Sequence, residues 1–559
     1  MSLSDGVKPD LQLENLVASL ADIVGQEHVL IDGPTLDRYA RSSSGNPTRP
    51  LALVRPADTE QVQRLVQLAV DAGLALHPIA RGRNWGYGDA CAPTQNQVVV
   101  DMARMNRIVE VNRRLAYTVI EPGVSQGQLW QYLQQYAPDL MMDCTGAGPD
   151  ASLVGNTLDR GFGHTRYGDH FLTTCGMQVV LPDGRVLETG FGHYSPKPHA
   201  QHVYRYGIGP FLDGLFVQSN FGIVTRIGLW LMPKPEAFSA FFFSDPNPQA
   251  IEKIVESLAP LRMQGLLTSA IHIGNDLRLL SARTRYPWER AQGKTPLSDD
   301  LRKQLCSEFG IAAWTGCGAI SGTRETVAAT KKAVRRAVRT HTLVFLDDQR
   351  IRRLDQVSQW LGRLGLAGGL RTKLASIRPI YGLLKGEPTS ESIAGTAWRV
   401  RGPVSEPIES PLDAHAGIIW ASPVIPATGD DARRLLDLME PIYKKHGFEM
   451  LVTFTMINER AMVAVTNLAF DAREADEARQ AADCYHELTT TMLANGYPPY
   501  RSSPLGQRHL RHGSEVYWDV VDQLRQMLDP RGIVSPGRYE PPLPSASSSS
   551  GSANDEQDM

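Results

Sequence analysis

The sequence lacks the features of membrane-spanning proteins and of disulfide-stabilised secreted proteins. No run of 18 consecutive apolar residues occurs in its 559 positions, so no typical transmembrane helix is predicted. The N-terminus has neither the basic nor the apolar segment of a signal peptide. The six cysteines are scattered without a C-x-x-C pair, which favours reduced, buried thiols. We therefore expect a cytoplasmic protein that binds no membrane and no metal.

The sequence also has little net charge. Its formal charge is -3, so no overall field attracts nucleic acid, and we expect no nucleic-acid partner. The richest basic run, residues 331–339, has helical spacing and is typical of a solvated helix face; a docking face for an acidic partner is the alternative. With 42% apolar and 21% charged residues, a chain of this length predicts two or three globular domains.

The most informative stretch is residues 81–88, Arg-Gly-Arg-Asn-Trp-Gly-Tyr-Gly, which we call the glycine loop. Its three glycines allow positive φ angles and a close approach of the backbone to a ligand, as a pyrophosphate requires. Two arginines, an asparagine and two aromatic residues add charge, amide donors and a phenol. The loop predicts a phosphate site, although taken alone it is equally compatible with a simple turn.

The elements around this loop argue against a nicotinamide site of the Rossmann type. Residues 51–54 and 76–80 are predicted strands, and residues 58–73 between them have an N-cap, helical apolar spacing and a glycine stop. The glycine loop follows the second strand but precedes another strand, at residues 98–102. Its spacing is also not G-x-G-x-x-G, so a Rossmann site is disfavoured.

Further glycine-rich segments and prolines organise the rest of the chain. Residues 146–170 and 218–226 are glycine-rich segments that suggest one extended ligand held from several sides. Pro233 and Pro235 end a buried strand and mark a domain boundary. Residues 236–490 then alternate strands and helices as an α+β domain does. Residues 529–537 predict another loop at the ligand, and residues 541–559, rich in serine, predict a disordered tail.

Together these motifs resemble the vanillyl-alcohol oxidase and p-cresol methylhydroxylase flavoproteins. The resemblance covers most of residues 30–540 and rests on several motifs in the family's order. They are Gly82-Arg83-Asn84-x-Gly86-Tyr87-Gly88, Glu121-Pro122-Gly123-Val124, Gly155-Asn156 with Asp159-Arg160-Gly161, Tyr167-Gly168-Asp169-His170, Ser219-Asn220-x-Gly222-Ile223-x-Thr225 with Trp230-Leu231-Met232-Pro233, Tyr500-Arg501, and Asp529-Pro530 with Pro536-Gly537.

The resemblance implies an α+β flavoenzyme with two domains. Its FAD-binding domain would comprise residues 1–235 and 491–540, and an inserted cap, residues 236–490, would hold the substrate. The family's enzymes take hydride from the benzylic carbon of para-substituted phenols, giving a quinone methide that adds water or forms a double bond or carbonyl. We therefore expect an FAD-dependent oxidase or hydroxylating dehydrogenase that acts on 4-hydroxybenzylic compounds in the degradation of aromatic compounds.

The same resemblance assigns residues to the two ligands. Tyr87, Tyr500 and Arg501 would hold the phenolate, because two phenol donors and a permanent positive charge stabilise an oxyanion. His164 would complete the catalytic group. Loop packing for Tyr87 and a surface position for Tyr500-Arg501 are the structural alternatives. The residues expected to bind FAD are Arg81, Gly82, Arg83, Asn84, Trp85, Gly86, Gly88, Gly155, Asn156, Asp159, Gly161, Tyr167, Gly168, His170, Asn220, Gly222, Ile223, Val224 and Arg538.

The sequence departs from the family where members often attach FAD covalently. Counted back from Ser422-Pro423, the oxidase-type histidine falls on Ile418 and the hydroxylase-type tyrosine near Ser410. Neither side chain can form the bond. His415 lies three residues from the histidine position and would serve only if the loop shifts. We expect non-covalent FAD, with a link through His415 as the alternative.

Departures in the substrate pocket affect the expected phenol more than the flavin. An acidic or hydroxyl residue of relatives aligns with Ala147, and a tyrosine of the oxidase aligns with His164. His164 could donate to a phenolate, act as a base, or be a structural histidine. A histidine pair of relatives is replaced around Val463-Ala464, and an aspartate of the hydroxylase aligns with Asn467. These changes predict a substrate larger than cresol or differently substituted.

Other functions and partners stay open at this point. The wider superfamily oxidises hydroxy acids, sugars or amines, and a carboxylate bound by Arg501 would distinguish that class. A non-catalytic FAD-binding or assembly protein is a third class, which purified protein without oxidised-flavin absorbance would favour. For the oxidoreductase, the partners we expect are a small aromatic substrate, an electron acceptor that is either oxygen or a carrier such as cytochrome c, and a second copy in a homodimer.

Overall fold

The computed structural model describes residues 9–339, 341–363, 368–511, 513 and 515–542, so most of the predicted tail at 541–559 lies outside the described residues. The predicted mixture of helices and sheets is confirmed. The strands are β1 (Val29–Leu30), β2 (Ala52–Val54), β3 (Leu76–Ile79), β4 (Val98–Asp101), β5 (Ile108–Asn112), β6 (Tyr117–Ile120), β7 (Leu140–Met141), β8 (Thr174–Val180), β9 (Val186–Glu188), β10 (Ile223–Trp230), β11 (Met232–Pro233), β12 (Ala237–Asp245), β13 (Ile271–Asn275), β14 (Trp314–Gly322), β15 (Thr342–Leu346), β16 (Ala416–Ala421), β17 (Val424–Pro426), β18 (Leu451–Met456) and β19 (Ala461–Asp471).

The helix predicted between the first two strands has the cap and the glycine stop that the sequence indicates. Asp58 accepts a hydrogen bond from the Gln61 amide at 2.9 Å, and Gly73 ends the helix with a φ of 65°. The α-helices are α1 (Pro9–Val24), α2 (Gly33–Ala40), α3 (Thr59–Ala72), α4 (Gln126–Tyr136), α5 (Leu153–Leu158), α6 (Ile251–Met263), α7 (Asp276–Ser281), α8 (Asp299–Phe309), α9 (Arg324–Ala337), α10 (Asp348–Arg363), α11 (Gly368–Leu383), α12 (Gly429–Lys445), α13 (Ala475–Ala494) and α14 (Glu515–Leu528).

The glycine loop follows β3, the last strand in the order of a small mixed sheet. Its strand order is β1-β2-β4-β3, with β2 and β3 parallel to β4 and β1 antiparallel to β2. Val534 bridges Leu76 of β3 in the parallel direction, so the C-terminal segment adjoins this edge of the sheet. Buried apolar side chains of α1 and α3 pack on the sheet, and Val180 and Ile223 join the same core from the second sheet.

The second sheet is antiparallel, with the order β5-β6-β10-β8-β9. Its apolar face packs against α4. The loop between α4 and β8 carries the second glycine-rich segment, and β10 carries the end of the third. The first two sheets therefore place all three glycine-rich segments on neighbouring elements.

The largest sheet has the order β15-β12-β14-β13-β18-β19-β16, with β17 pairing to β19, and all its pairs are antiparallel. One face packs against α6, α9, α12 and α13 in the main apolar core. The other face is covered at one end by α7 and α8 and at the other by α10 and α11. The predicted boundary near residue 235 falls between β11 and β12, and the division into domains remains a prediction.

Between its two covered ends, that second face has a central strip of side chains. The strip can be traced across the strands because paired residues of neighbouring strands lie on the same face. The strip consists of His272, Thr453, Thr455, Val463, Val465, Asn467 and Trp420. Thr453 and Val465 pair with each other in the middle of the sheet yet are only half-buried. Space therefore lies over the strip. In the described part of the chain, no helix combines the length and the apolar character that crossing a membrane needs.

Candidate active site

A cleft lies among the glycine loop, α5, the start of β10 and residues 534–539. It holds about 1330 Å³ of space between atoms, its open mouth included. The predicted residues that line it are Arg81, Gly82, Arg83, Asn84, Tyr87, Gly88, Gly155, Asn156, Asn220, Gly222, Ile223, Val224 and Arg538. Those that lie outside its lining are Trp85, Gly86, Asp159, Gly161, Tyr167, Gly168 and His170, together with Tyr500, Arg501 and His164.

The cleft suits a dinucleotide with an aromatic ring system. Apolar side chains such as Ile79 and Val154 share its wall with polar ones such as Asn220 and Arg538. The Gln507 side-chain oxygen in this wall is buried and has no hydrogen-bond partner among the described residues. A ring N–H of a flavin is a donor that would satisfy such an orphaned acceptor.

Sequence reasoning missed the residues of β3 that line the cleft. His77 is buried there, and its Nδ1 lies 2.8 Å from the Ser535 hydroxyl. Burial, together with the nearby Arg538, lowers the pKa of His77 to about 3, so its imidazole is neutral. Its position in a predicted strand that ends directly at a glycine loop could have identified His77 as a residue near the ligand, because ligands bind at the carboxyl ends of parallel strands.

The glycine loop lies tightly against the largest sheet. Gly86 has a φ of 76°, and a Cβ atom there would overlap the Trp420 ring of β16. Trp420 also donates from its indole nitrogen to the Trp85 carbonyl at 2.9 Å. Sequence analysis assigned Trp85 and Gly86 to FAD, whereas the structure places both against Trp420 of the largest sheet. Their assignment to FAD remains a prediction.

A buried serine and carboxyl group hold the loop from behind, and neither was predicted. The Gly86 amide donates to the Ser43 hydroxyl at 2.8 Å, and the Ser43 amide donates to Asp89 at 2.7 Å. Burial raises the pKa of Asp89 to about 7, because desolvation outweighs the hydrogen bonds from Ser43. The protonation of Asp89 is therefore coupled to the loop's support.

The two arginines of the loop already share a carboxylate. Arg83 Nη2 donates to Asp150 at 2.7 Å, and Arg81 forms a second ion pair with the same side chain. Arg81 also donates to the Asp150 carbonyl at 2.7 Å and to the Gly123 carbonyl at 3.1 Å. These contacts fix the loop to the segment before α5. Contacts of both arginines with a phosphate remain a prediction.

Asp159 forms the centre of a buried polar cluster. Its carboxylate accepts from Arg501 Nε at 3.0 Å and from Arg538 Nη2 at 3.0 Å. It also accepts from the Tyr539 hydroxyl at 2.9 Å and from the Asn84 side chain at 3.1 Å. Burial alone would raise the pKa of Asp159, but the two guanidinium groups outweigh it and the pKa is lowered. The carboxylate thus stays charged and joins the N-terminal and C-terminal pieces of the cleft.

The structure brings together Tyr87, Tyr500 and Arg501, the three residues that the family resemblance assigned to a phenolate, and that role remains a prediction. The Arg501 guanidinium carbon lies 4.2 Å from the Tyr87 ring centre and 5.8 Å from that of Tyr500. The two tyrosine rings meet edge to face with centres 6.4 Å apart. The Tyr87 hydroxyl donates to Ser422 at 3.4 Å, and burial raises its pKa well above the ordinary value, so the phenol stays protonated.

His164 lies two residues from Phe162, whose ring contacts Tyr500, in a segment whose backbone is held by the buried Asp143 carboxylate. Asp143 accepts from the amides of His164 at 3.1 Å and Thr165 at 2.7 Å. Its other oxygen lies 2.6 Å from His170 Nε2, and His170 Nδ1 lies 2.6 Å from Asn156. The predicted residues His170 and Asn156 are therefore joined to the loop that carries His164.

The His164 ring contacts a second imidazole on the central strip. The ring centres of His164 and His272 are 4.6 Å apart. His164 Nδ1 lies 3.1 Å from the Cys144 carbonyl, and His272 Nδ1 lies 3.1 Å from the Thr455 hydroxyl. Burial lowers the pKa of both histidines, so both imidazoles are neutral. His272 escaped sequence analysis because no motif surrounds it.

The positions considered for covalent FAD attachment have different surroundings. Ile418 is buried, and its Cγ2 lies 3.3 Å from the place that a Cβ of Gly86 would take. His415 is exposed in the turn before β16, with a φ of 55°, and is not part of the cleft lining. Ser410 is buried, and Ala147 lines the cleft without an acidic group.

Comparisons with known proteins extend over nearly the whole chain. The family described as "FAD binding domain" matches residues 50–190, which confirms FAD as the cofactor. A 1'-carboxy-chondrochloren decarboxylase of Chondromyces crocatus is 35% identical over 94% of this chain and 97% of its own. The 4-cresol dehydrogenase [hydroxylating] flavoprotein subunit of Pseudomonas putida is 29% identical over 94% and 95%. A crystal structure of p-cresol methylhydroxylase with substrate bound superposes with a TM-score of 0.84 at 27% identity, covering 96% and 98% of the two chains.

Proposed function

Because the chain belongs to the vanillyl-alcohol oxidase and p-cresol methylhydroxylase family of FAD-linked oxidoreductases, we propose that it removes hydride from the benzylic carbon of a para-substituted phenol. Bound FAD would accept that hydride as a pair of electrons and a proton. The observation that supports the phenol most directly is the convergence of Tyr87, Tyr500 and Arg501, of which Tyr87 also lines the cleft.

The charges of this cluster favour a phenolate. Arg501 and Arg538 carry two positive charges, whereas Asp159 carries one negative charge, so the cluster has an excess of one positive charge. A substrate phenolate would supply the matching negative charge. Each unit by which the site lowers the phenol's pKa corresponds to about 1.4 kcal/mol of preferential binding of the anion.

The ionised oxygen is what makes hydride loss favourable. Its electrons move through the ring as hydride leaves, and the benzylic carbon becomes the end of a neutral quinone methide. The hydroxyls of Tyr87 and Tyr500 can donate to the oxyanion, while Arg501 supplies the permanent charge. Substrate ionisation and hydride transfer are therefore coupled through the same three side chains.

Anaerobic reduction of the flavin tests this proposal. We expect 4-ethylphenol to bleach the oxidised-flavin absorbance, whereas 4-ethylanisole, with a methyl ether in place of the phenol, should leave it unchanged. The ether keeps the same benzylic carbon and nearly the same shape, so only the missing ionisation distinguishes the two. Failure of a panel of 4-alkylphenols and 4-hydroxybenzyl alcohols to reduce the flavin would reject a phenol substrate.

A second candidate is oxidative decarboxylation, supported by the name and the extent of the Chondromyces crocatus relative. A phenol whose side chain carries a carboxylate could lose hydride first. The resulting quinone methide would then release CO₂, and the electrons of that bond would form an alkene and restore the phenolate. With 3-(4-hydroxyphenyl)propanoate, this reaction predicts one CO₂ and one 4-vinylphenol for each flavin reduced. Flavin reduction without CO₂ would exclude it.

The proposal extends to the mode of FAD binding, the electron acceptor and the oligomeric state. We propose that FAD is bound without a covalent link, because an aliphatic residue, Ile418, stands beside the glycine loop. We also propose that oxygen or a cytochrome-type carrier reoxidises the flavin and that the enzyme acts as a homodimer. Yellow colour retained by acid-precipitated protein would contradict the non-covalent binding. Peroxide release compared with cytochrome reduction would identify the acceptor.

A further inference from the structure

The proposed function leaves one proton without an acceptor. After hydride transfer, the quinone methide either adds water, which releases a proton, or loses a proton from the adjacent carbon to form an alkene. Both outcomes require a base near the benzylic carbon. The following inference identifies that base and therefore rests on the proposed function.

The carboxylates nearest the site already have partners. Asp159 is paired with Arg501 and Arg538 and has a lowered pKa. Asp143 accepts from two backbone amides and lies 2.6 Å from His170; burial would raise the pKa of Asp143, but His170 and the amide hydrogen bonds lower it. Weakly basic, fully bonded carboxylates are poor acceptors for another proton.

The hydrogen bond of His164 fixes its tautomer. Its Nδ1 lies 3.1 Å from the Cys144 carbonyl oxygen, which can only accept. In the neutral ring Nδ1 must therefore carry the hydrogen, and Nε2 must carry the lone pair. No described residue forms a hydrogen bond with this Nε2, so its lone pair is available.

The backbone places His164 on the same side of its segment as Phe162, whose ring contacts Tyr500. Phe162 forms an antiparallel bridge with Asp169, so the segment is extended and its side chains alternate. A Cβ on Gly163 would overlap Asp143, which shows that the glycine points toward that carboxylate. Its neighbours point the other way: the Phe162 ring lies 5.4 Å from the Tyr500 ring, and His164 occupies the same side.

The groups around His164 keep it neutral but able to take a proton. Burial lowers its pKa, Asp143 and the Cys144 carbonyl oppose the effect, and His170 adds to it. His272 faces the ring from the central strip and is itself neutral, because burial lowers its pKa well below the ordinary value. A base that stays neutral at pH 7 and gains a proton only during turnover suits this step.

We infer that His164, through Nε2, is the catalytic base that accepts the proton released after hydride transfer. In hydration, a water oxygen bonds to the benzylic carbon, the ring electrons return to the phenolate oxygen, and the water's proton moves to Nε2. In alkene formation, the adjacent carbon gives its proton to Nε2, and the bonding electrons form the double bond. The imidazolium then releases the proton to solvent, and the electron acceptor reoxidises the flavin.

The experiment compares two steps in one protein. Flavin-loaded wild type and His164→Gln are mixed with 4-ethylphenol, and flavin reduction is followed by absorbance while 1-(4-hydroxyphenyl)ethanol and 4-vinylphenol are quantified by rapid quench. Glutamine can still donate to the Cys144 carbonyl but is not a base. We expect reduction within about threefold of wild type and product formation at least tenfold slower. His199→Gln, on an exposed loop, is the matched control and should leave both rates unchanged.

The pH dependence supplies a readout that a purely structural role would not change. In wild type, product formation should fall as the pH drops through the lowered pKa of His164, because the protonated base is inactive. This acidic limb should be absent from His164→Gln, and added imidazole should restore product formation in His164→Ala. Wild-type product formation in His164→Gln, or an unchanged acidic limb, would overturn the assignment. Absence of flavin reduction in wild type would instead reject the phenol substrate.

Discussion

At the scale of single residues, the site depends on how its buried charges are compensated. The Arg501 side chain is largely buried, and burying its charge without an anion would cost folding free energy. Asp159 supplies that anion within hydrogen-bonding distance. Burial alone would lower the pKa of Arg501, but Asp159 raises it well above the ordinary value. The guanidinium therefore keeps its charge beside the Tyr87 ring, where the proposed phenolate needs it.

Replacing Asp159 by asparagine should destabilise the protein strongly. The change leaves two buried or half-buried guanidinium groups without their carboxylate, and breaking a buried ion pair costs about 3–5 kcal/mol. Denaturant unfolding of Asp159→Asn should show a loss of that size. Asp183→Asn is the control, since its pair with Arg185 is exposed and worth about 0–1 kcal/mol. Equal stability of the two variants would refute the central role of Asp159.

Replacing Arg501 by lysine should impair the reaction without abolishing FAD binding. Lysine keeps the positive charge but cannot reach Asp159, Asn84 and a phenolate with one planar group. We expect flavin reduction by 4-ethylphenol to slow by about 100-fold, or about 2.7 kcal/mol, as for loss of an oxyanion donor. Arg508→Lys, at an exposed position in the same segment, should reduce at the wild-type rate. A loss of less than threefold in Arg501→Lys would contradict the assignment.

At the scale of elements, the glycine loop is defined as much by what it touches as by its own residues. Its glycines allow the backbone to turn, but the Trp420 ring determines how closely the loop approaches the largest sheet. Ser43 and Asp89 then support the loop from the opposite side. The loop is thus held between two parts of the chain that are far apart in sequence.

Two glycine substitutions separate backbone strain from crowding. Gly73 and Gly86 have φ angles of 65° and 76°, but a Cβ would meet nothing within 4 Å at Gly73, whereas at Gly86 it would overlap Trp420. Gly73→Ala should cost only the left-handed strain of about 1–2 kcal/mol. Gly86→Ala should cost about 1–3 kcal/mol more through overpacking and should lower the flavin content of purified protein. Equal melting temperatures and flavin contents would contradict this account.

The support of the loop should make stability depend on pH. The pKa of Asp89 is about 7 in the folded protein, against an ordinary value of 3.8. Because a raised pKa favours folding only while the group is protonated, the contribution of Asp89 to the free energy of unfolding is complete below about pH 4. It is lost as the pH rises to about 7. The difference of about 3 units corresponds to about 4 kcal/mol.

Chemical unfolding at a series of pH values tests this dependence. Asp89→Asn cannot ionise at this position. Between pH 4 and 7, the free energy of unfolding should therefore fall by about 4 kcal/mol less in Asp89→Asn than in wild type. Asp71→Asn, at an exposed position of α3, should follow the wild-type curve. Parallel curves for wild type and Asp89→Asn would show that Asp89 does not titrate in this range.

At the scale of the whole molecule, the cleft is built from both ends of the chain. Leu76 of β3 bridges Val534, and Asp159 binds Arg538 and Tyr539. Between these segments lies the largest sheet, whose central strip brings His272 and Trp420 to the site. The ligand site therefore forms only when residues more than 400 positions apart have come together.

Truncation should show this dependence directly. A chain that stops after Leu528 lacks Val534, Arg538 and Tyr539, so it should lose flavin and unfold at a lower temperature. A chain that stops after Pro542 keeps these three residues and should retain wild-type flavin content. The flavin absorbance per protein and the melting temperature of both chains measure the effect. Full flavin content in the shorter chain would refute the proposed role of the C-terminal segment.

Much of the fold could be predicted because local sequence determines it. The Asp58 cap and Gly73 stop define α3 through contacts within a few residues, and apolar strand patterns identify β2 and β4. The meeting of Tyr87 with Tyr500 and Arg501 was predicted only through the family resemblance. No local pattern shows that residues so far apart come together.

The sequence by itself determined the residue types available for a ligand site: the glycine-rich loops follow from residue type and short spacing, whereas the two tyrosines and the arginine were assigned through the family resemblance. Only the tertiary structure decided the partners of these groups. Asp159 forms an ion pair with Arg501, and Asp150 forms ion pairs with the arginines of the glycine loop. The Trp420 ring leaves no room for a side chain at residue 86. The physical reason is that ion pairing, burial and steric contact depend on distances in space, which chain folding sets between segments that have no local relation.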